Sequence, residues 1–182
     1  MNIKQIFINI VFVCQNIYGV LTLKSEREIA KLLKRNALKL ATAESCTGGI
    51  ISSRMTDLSG SSVYIWQNFV TYANEAKVQL LGVDRNTIEK YGVVSSQVAL
   101  EMVSGLLKRY NCTITLSTTG IAGPLGATED KPVGLVYIGV ADEKHQKAYK
   151  YEANPLLYRR IMKYAFANKA LDCLLEFLKE YY

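Results

Sequence analysis

From Ser25 onward the apolar positions alternate between helical and strand periods. Ser25 with Glu28 three residues on has the spacing of a capping box, and Ile29, Leu32 and Leu33 form a stripe that predicts a helix to about Asn36. "LKLATA" (Leu38–Ala43) alternates and runs into a glycine corner, which predicts a short strand. Ile50, Ile51 and Met55 return to helical spacing, and "SGSS" (Ser59–Ser62) is a loop. "VYIWQNFVTYA" is β-branched and aromatic and predicts a strand; "NEAKVQLLGV" predicts a short helix with Asn74 as its N-cap and its close near Gly82. A helical turn and a glycine break then precede a longer helix. Ser95 or Ser96 caps it, and Val98, Met102, Val103 and Leu106 line its inner face. Cys112–Gly120 predicts a strand and "IAGPLGATEDKPVG" a loop. "GLVYIGVA" and "KAYKYEA" form a hairpin around Asp142–His145, and a last helix runs from about Pro155 to Leu178.

Strands alternating with helices predict a layered α/β domain with a mostly parallel sheet and an antiparallel edge from the final hairpin. In open α/β sheets, ligands sit beyond the carboxyl ends of the strands. Three corners fall at such ends: Ala43–Gly49, Tyr72–Lys77 and Thr118–Gly123, with the loop after Gly123 positioned to cover them.

The 182 residues suit one domain, or one domain with an extra tail, and 49% apolar with 21% charged residues is globular composition. The net charge of +6 is spread over two groups, Lys24–Lys39 and Arg159–Lys169, which read as solvated helix faces. A surface for phosphate-bearing ligands or nucleic acid is the second reading, but no zinc-finger, homeodomain or RNP pattern favours nucleic acid. Cys14, Cys46, Cys112 and Cys173 are far apart and His145 is the sole histidine. That excludes a zinc site and a dense disulfide framework, fits reduced cytoplasmic thiols, and leaves a histidine-based triad without a basis. Upstream, the apolar core Ile6–Cys14 is shorter than the roughly 18–20 residues of a spanning helix. It fits an added strand or helix, an export signal lacking a clean cleavage site, or upstream sequence translated from a misassigned start codon. Residues 1–24 are accordingly set apart as an extension to a domain at 25–182.

The chemistry gathers at the corners. Ser45, in "AESCTGG", has the position of a helix cap. Gly48 and Gly49 add close backbone approach, and a helix N-terminus adds free N–H groups for an anion or oxyanion, so Ser45 also reads as a nucleophile. Cys46 is the weaker candidate, since a catalytic thiolate needs a partner that the neighbourhood lacks. With no histidine available, "TYANEAK" supplies Lys77 as base, its pKa depressed by desolvation, with Tyr72 relaying the proton or holding the amine. In "STTGIAGP", Thr118, Thr119 and Gly120 put further donors at a strand end, or simply make a turn.

"AESCTGG", "GSS", "FVTYANEAK", "LLGV", "GVVS", "TTGIAGP" and "KPVG" together resemble, in order and spacing, the CinA C-terminal domain family of competence/damage-inducible proteins, whose members include nicotinamide-nucleotide amidase. The resemblance covers roughly Glu26 to Leu178. It implies a three-layer α/β/α sandwich with a mostly parallel mixed sheet, cytoplasmic and homo-oligomeric. It also implies deamidation of nicotinamide mononucleotide to nicotinic acid mononucleotide and ammonia, in pyridine-nucleotide recycling. Ser45, Tyr72 and Lys77 match the family's catalytic positions, and Thr119 lies beside the substrate. Cys46, Thr47, Gly48, Gly49, Asn74, Thr118 and Gly120 join it as substrate-binding candidates, with N–H groups around Cys46–Gly49 or Thr119–Gly120 holding the oxyanion. The expected partner is a small-molecule nucleotide, with no metal, no cofactor, no nucleic acid and no membrane. The chain departs from the family pattern at Asn68, Ala73 and Ala127, and at "NPLLYRR", which lacks the GDR-like segment where phosphate contacts are assigned. The rival reading is a catalytically silent nucleotide-binding module acting in a competence or DNA-damage response.

Overall fold

A computed structural model describes residues 3–182, the side chains of 16–22 excepted. Five strands form one sheet in the order β2-β1-β3-β4-β5: β1 is Leu40–Glu44, β2 Ile65–Val70, β3 Ile114–Gly120, β4 Leu135–Ala141 and β5 Gln146–Glu152. β1 pairs in parallel with β2 and β3, and the hairpin β4–β5 adds two antiparallel pairings, so only β4 runs against the other strands. The mostly parallel sheet with a hairpin edge is therefore the observed one.

Helices cover both faces. On one side pack α2 (Lys24–Arg35), α3 (Ile50–Thr56) and α7 (Arg159–Tyr181), where Ile29, Leu33, Ile51, Met55, Phe166 and Phe177 meet Leu40, Ile114 and Leu116 of the sheet. On the other side α6 (Ser96–Arg109) sets Val98, Met102 and Leu106 against Ala41 and Ala43. Leu40 faces one layer and Ala41 the other, the alternation that a strand buried on both faces requires. Ser95 caps α6 by accepting from Val98 N. The helical side is pinned by a buried ion pair: Arg54 Nη2 lies 2.6 Å from Glu26 Oε1, and Arg54 Nη1 donates to Asn168 Oδ1, which joins α2, α3 and α7.

Several local expectations change. The capping box at Ser25 does not form, because a helix α1 (Ile3–Thr22) precedes α2 with only Leu23 between them. Ser25 falls inside the first turn of α2 and its hydroxyl donates to Asp172, while Glu28 pairs with Lys179. The upstream segment is helical, and Ile8 and Phe12 pack on the core. Buried Asn9 donates to Leu156 O and accepts from Tyr158 N. Among the described residues no helix is long and apolar enough to cross a membrane. Asn74 opens the short α4 (Asn74–Ala76) rather than capping it; the cap position is Ala73, and the helix continues as a π-helical turn, Lys77–Leu81, that closes at Gly82. The final helix starts at Arg159, after a turn in which Asn154 Oδ1 accepts from Leu156 N.

α6 lies against its neighbours at backbone distance, which only glycine allows. A Cβ on Gly105 would stand 1.8 Å from Leu81 O, and one on Gly139 would stand 2.5 Å from Ala99 O. Gly105→Ala is expected to lower the unfolding free energy by about 2–3 kcal/mol through forced separation of α6 from the Lys77–Leu81 turn. A urea titration of the variant against the parent chain checks this.

Candidate active site

Register brings the three corners together. Glu44 stands opposite both Val70 and Thr118, so β1 and β2 end level and β3 runs two residues further. The ladder continues past the strands: Thr71 N donates to Glu44 O at 2.9 Å and Ser45 N to Thr118 O at 3.1 Å. Ser45 thus emerges between the starts of the two neighbouring loops.

What shapes the turn after Ser45 is the side chain of Glu44. Its fully buried carboxylate accepts from the backbone N–H of Gly49, Ile51 and Ser52 at 2.9, 3.1 and 2.7 Å, and from Ser52 Oγ at 2.5 Å. A carboxylate across a helix N-terminus satisfies orphan donors and meets the positive end of the helix dipole. α3 is therefore capped by Glu44, not by Ser45, and the N–H groups of Gly49, Ile51 and Ser52 are not available to a ligand. Gly48 and Gly49 both adopt left-handed φ, 61° and 94°, as the chain doubles back over the strand end.

Freed from capping, the Ser45 hydroxyl meets Lys77. Lys77 Nζ donates to Ser45 Oγ at 3.0 Å, to Thr71 O at 2.8 Å and to Tyr72 O at 3.2 Å. Lys77 is wholly buried, and no carboxylate pairs with it among the described residues. Burial pushes its pKa down to about 8, against a smaller opposing pull from Cys46. The three partners differ in a way that matters. The two carbonyls only accept, so a neutral Lys77 keeps its two N–H bonds on them and turns its lone pair to the one partner able to donate, the Ser45 hydroxyl. Cys46 beside it is buried and its thiol is pushed up to about 12, chiefly by desolvation. It is protonated at neutral pH and no nucleophile.

A cavity of about 250 Å³ opens onto this pair. Ser45, Cys46, Tyr72, Asn74, Lys77, Thr119 and Gly120 line it as the sequence predicts. Thr47 and Thr118 lie behind it, buried, with their hydroxyls 2.9 Å apart, and Gly48 and Gly49 form the outer turn. The backbone N–H of Cys46 lies against its own thiol, and Thr47 is wholly buried outside the lining. Thr119 Oγ1 donates to Val93 O and so draws an apolar wall of Val93 and Val94 to the cavity.

Val93, Val94 and Arg159 belong to the lining as well, without a signal in the sequence that places them there, while Ile121 and Leu125 come from the Thr118–Gly123 corner and the loop that covers it. Arg159 carried a visible signal as a cation in "NPLLYRR", but was assigned to a solvated face. Its guanidinium donates to Gly123 O at 2.6 Å and to Tyr72 Oη at 2.7 Å. The Tyr72 phenol accordingly bonds to Arg159, and it is the main-chain carbonyl of Tyr72 that holds Lys77. A larger cavity, about 510 Å³, lies at the opposite end of the sheet beside Asp142, His145 and Tyr182. Its one thiol, Cys112, is pushed up to about 11 by burial, and the serine–lysine pair belongs to the smaller cavity.

Fold and site together define an α/β sandwich domain carrying a buried serine–lysine pair in a pocket at the carboxyl ends of its parallel strands. The chain belongs to the CinA C-terminal domain family, which it matches over residues 22–178. It is similar to a CinA-like protein of Chloroherpeton thalassium, 44% identical over 164 residues that make up 89% of this chain and 39% of that one. A CinA-like protein of Chlorobaculum tepidum is 46% identical over 90% of this chain and 40% of its own length. The chain thus spans about two fifths of the length of these relatives. Among solved structures, the competence/damage inducible protein CihA from Agrobacterium tumefaciens is similar at 36% identity and a TM-score of 0.82, covering 86% of this chain and 94% of that one.

Glu44→Gln tests the cap without changing its shape. The amide offers one acceptor where the carboxylate offers two, and turns N–H against N–H. Thermal and urea unfolding are expected to show a loss of about 2 kcal/mol, the scale of a buried charge-assisted network with an unsatisfied donor.

Proposed function

We propose that the domain is an amidohydrolase that deamidates nicotinamide mononucleotide to nicotinic acid mononucleotide and ammonia. The observation that carries this reading is the Ser45–Lys77 contact of 3.0 Å, made by a buried lysine whose pKa is lowered to about 8. Ser45 Oγ attacks the carboxamide carbon as its proton passes to Lys77 Nζ. The oxyanion is held by main-chain N–H groups of the turn Cys46–Gly49. Lys77 then returns the proton to the amide nitrogen, the C–N bond breaks and ammonia leaves. Water adds to the acyl-serine, giving its proton to Lys77, and Ser45 Oγ departs with that proton to yield the carboxylic acid. Val93, Val94 and Ile121 offer apolar surface to the pyridine ring, Asn74 and Thr119 offer polar contacts to the ribose, and Arg159 faces the phosphate. Residues 25–182 carry the activity and residues 1–24 stand outside it.

Ammonia release from nicotinamide mononucleotide, followed beside Ser45→Ala and Lys77→Met, tests the proposal. Both variants are expected to lose at least about 1,000-fold in kcat while remaining folded. Wild-type turnover in folded Ser45→Ala would sink it. Nucleotide binding with no turnover by the parent chain would instead favour the silent module.

The pH dependence carries its own sign. A base works in its deprotonated form, so kcat/KM rises about tenfold per pH unit below the Lys77 pKa and levels off above about 8. A rate profile from pH 6 to 9.5 shows that limb, and a flat profile across this range excludes Lys77 as the base.

A further inference from the structure

Arg159 is the one guanidinium on the wall of the 250 Å³ cavity. It stands at the start of α7 and bonds to two loops at once, the β3–β4 loop through Gly123 O and the segment after β2 through Tyr72 Oη. Both acceptors are neutral. Among the described residues no carboxylate pairs with it, although its charge is permanent. Tyr72, in turn, is held at its backbone, where its carbonyl accepts from Lys77 Nζ, and at its phenol, among the described residues, by Arg159 alone, and the residue is 60% exposed.

We propose that Arg159 is a ligand-operated latch: the phosphate of an entering nucleotide takes the guanidinium away from Tyr72 and Gly123, and the released phenol turns into the pocket to complete the catalytic set. This rests on the amidase reading above. The exchange is favourable because a phosphate gives the guanidinium two bonds to an anion in place of two to neutral acceptors. Arg159 is then a positioning residue that acts through Tyr72. The Tyr72 backbone does not move, so the Lys77–Ser45 contact survives the change. A phosphate that works this way raises kcat, whereas a mere anchor would lower KM alone.

The test uses the substrate in two pieces. Nicotinamide riboside lacks the phosphate, and free phosphite dianion supplies it separately. The parent chain is expected to turn over the riboside with a kcat on the order of 100-fold below that of the mononucleotide, and phosphite to raise the riboside rate on the order of tenfold. In Arg159→Ala the phenol is unlatched without phosphate, so the two substrates share one kcat near that of the parent chain on the mononucleotide and phosphite has no effect; Arg159→Lys, a point charge without the fork, restores part of the phosphite response. Equal kcat for both substrates in the parent chain, or phosphite activation that persists in Arg159→Ala, overturns the latch. A second readout is independent of turnover. With ring-labelled tyrosine, the Tyr72 resonance, assigned by Tyr72→Phe, is expected to shift on adding inorganic phosphate to the parent chain and to stay fixed in Arg159→Ala. A chain that shows this shift but hydrolyses neither substrate leaves the latch standing and the amidase reading refuted. Hydrolysis without the shift does the reverse.

Discussion

The carboxylate of Glu44 is the constraint on which the site rests. It ends the central strand, sits at zero exposure, and is closed by four donors from the turn and helix that follow it. A buried charge is tolerable only when its lone pairs are filled, so the turn has to fold back over the strand end, and the left-handed pair Gly48–Gly49 is what lets it. With α3 capped from behind, Ser45 has no structural duty for its hydroxyl. The Ser45 hydroxyl is left to Lys77 because a neighbouring residue does the capping that serine ordinarily does.

Lys77 answers the same problem of a buried charge in the opposite way. Glu44 is saturated by N–H dipoles, and Glu26 is paired with Arg54. Lys77 has only a hydroxyl and two carbonyls, with no counter-charge, and its proton affinity falls accordingly. A carboxylate at hydrogen-bond distance would hold it as an ammonium and cost it any role as a base. Locking Glu44 into the helix cap thus serves both members of the pair: it orients Ser45, and it keeps the carboxylate adjacent to Ser45 in sequence from pairing with Lys77. The π-helical turn that begins at Lys77 belongs to the same arrangement, since it is the local widening that accompanies a lysine directed back under its own N-terminal segment to the carbonyls of residues 71 and 72.

The alternation of strands and helices, the caps at Ser95 and Gly82 and the three glycine or hydroxyl corners were legible in the sequence because each depends on residues a few positions apart. Register then did the rest, for parallel strands that end within two residues of one another bring their corners together without further instruction. The missed features depend on the path of the turn or on distant partners. Glu44 as a cap is visible only once the chain has turned back, and its long side chain reaches across a gap that serine, threonine or aspartate caps do not span. Arg159 joins Tyr72 across 87 positions of sequence. Ser25 and Glu28 have the correct spacing for a capping box, but α1 leaves no free helix end there, and both side chains are taken by α7. In each case a local signal was present and a tertiary contact decided its use.

Electrostatics also limits what can stand at Arg159. On the proposed reading, the pocket must admit a phosphate near a lysine that works only when neutral, and an uncompensated anion stabilises the ammonium and returns its pKa towards 10.5. The compensating cation cannot itself be a group that gives up its proton under the same desolvation. A second lysine in the pocket would share the tendency of Lys77 to deprotonate on burial, whereas a guanidinium keeps its charge at any pH the fold survives. Placed at the mouth, with Ser45 and Lys77 at the base, Arg159 pairs the phosphate where it enters and shields Lys77 from its field. The proton chemistry and the anion recognition are thereby given to two cations of different kinds, one selected for a proton it can lose and the other for a charge it cannot.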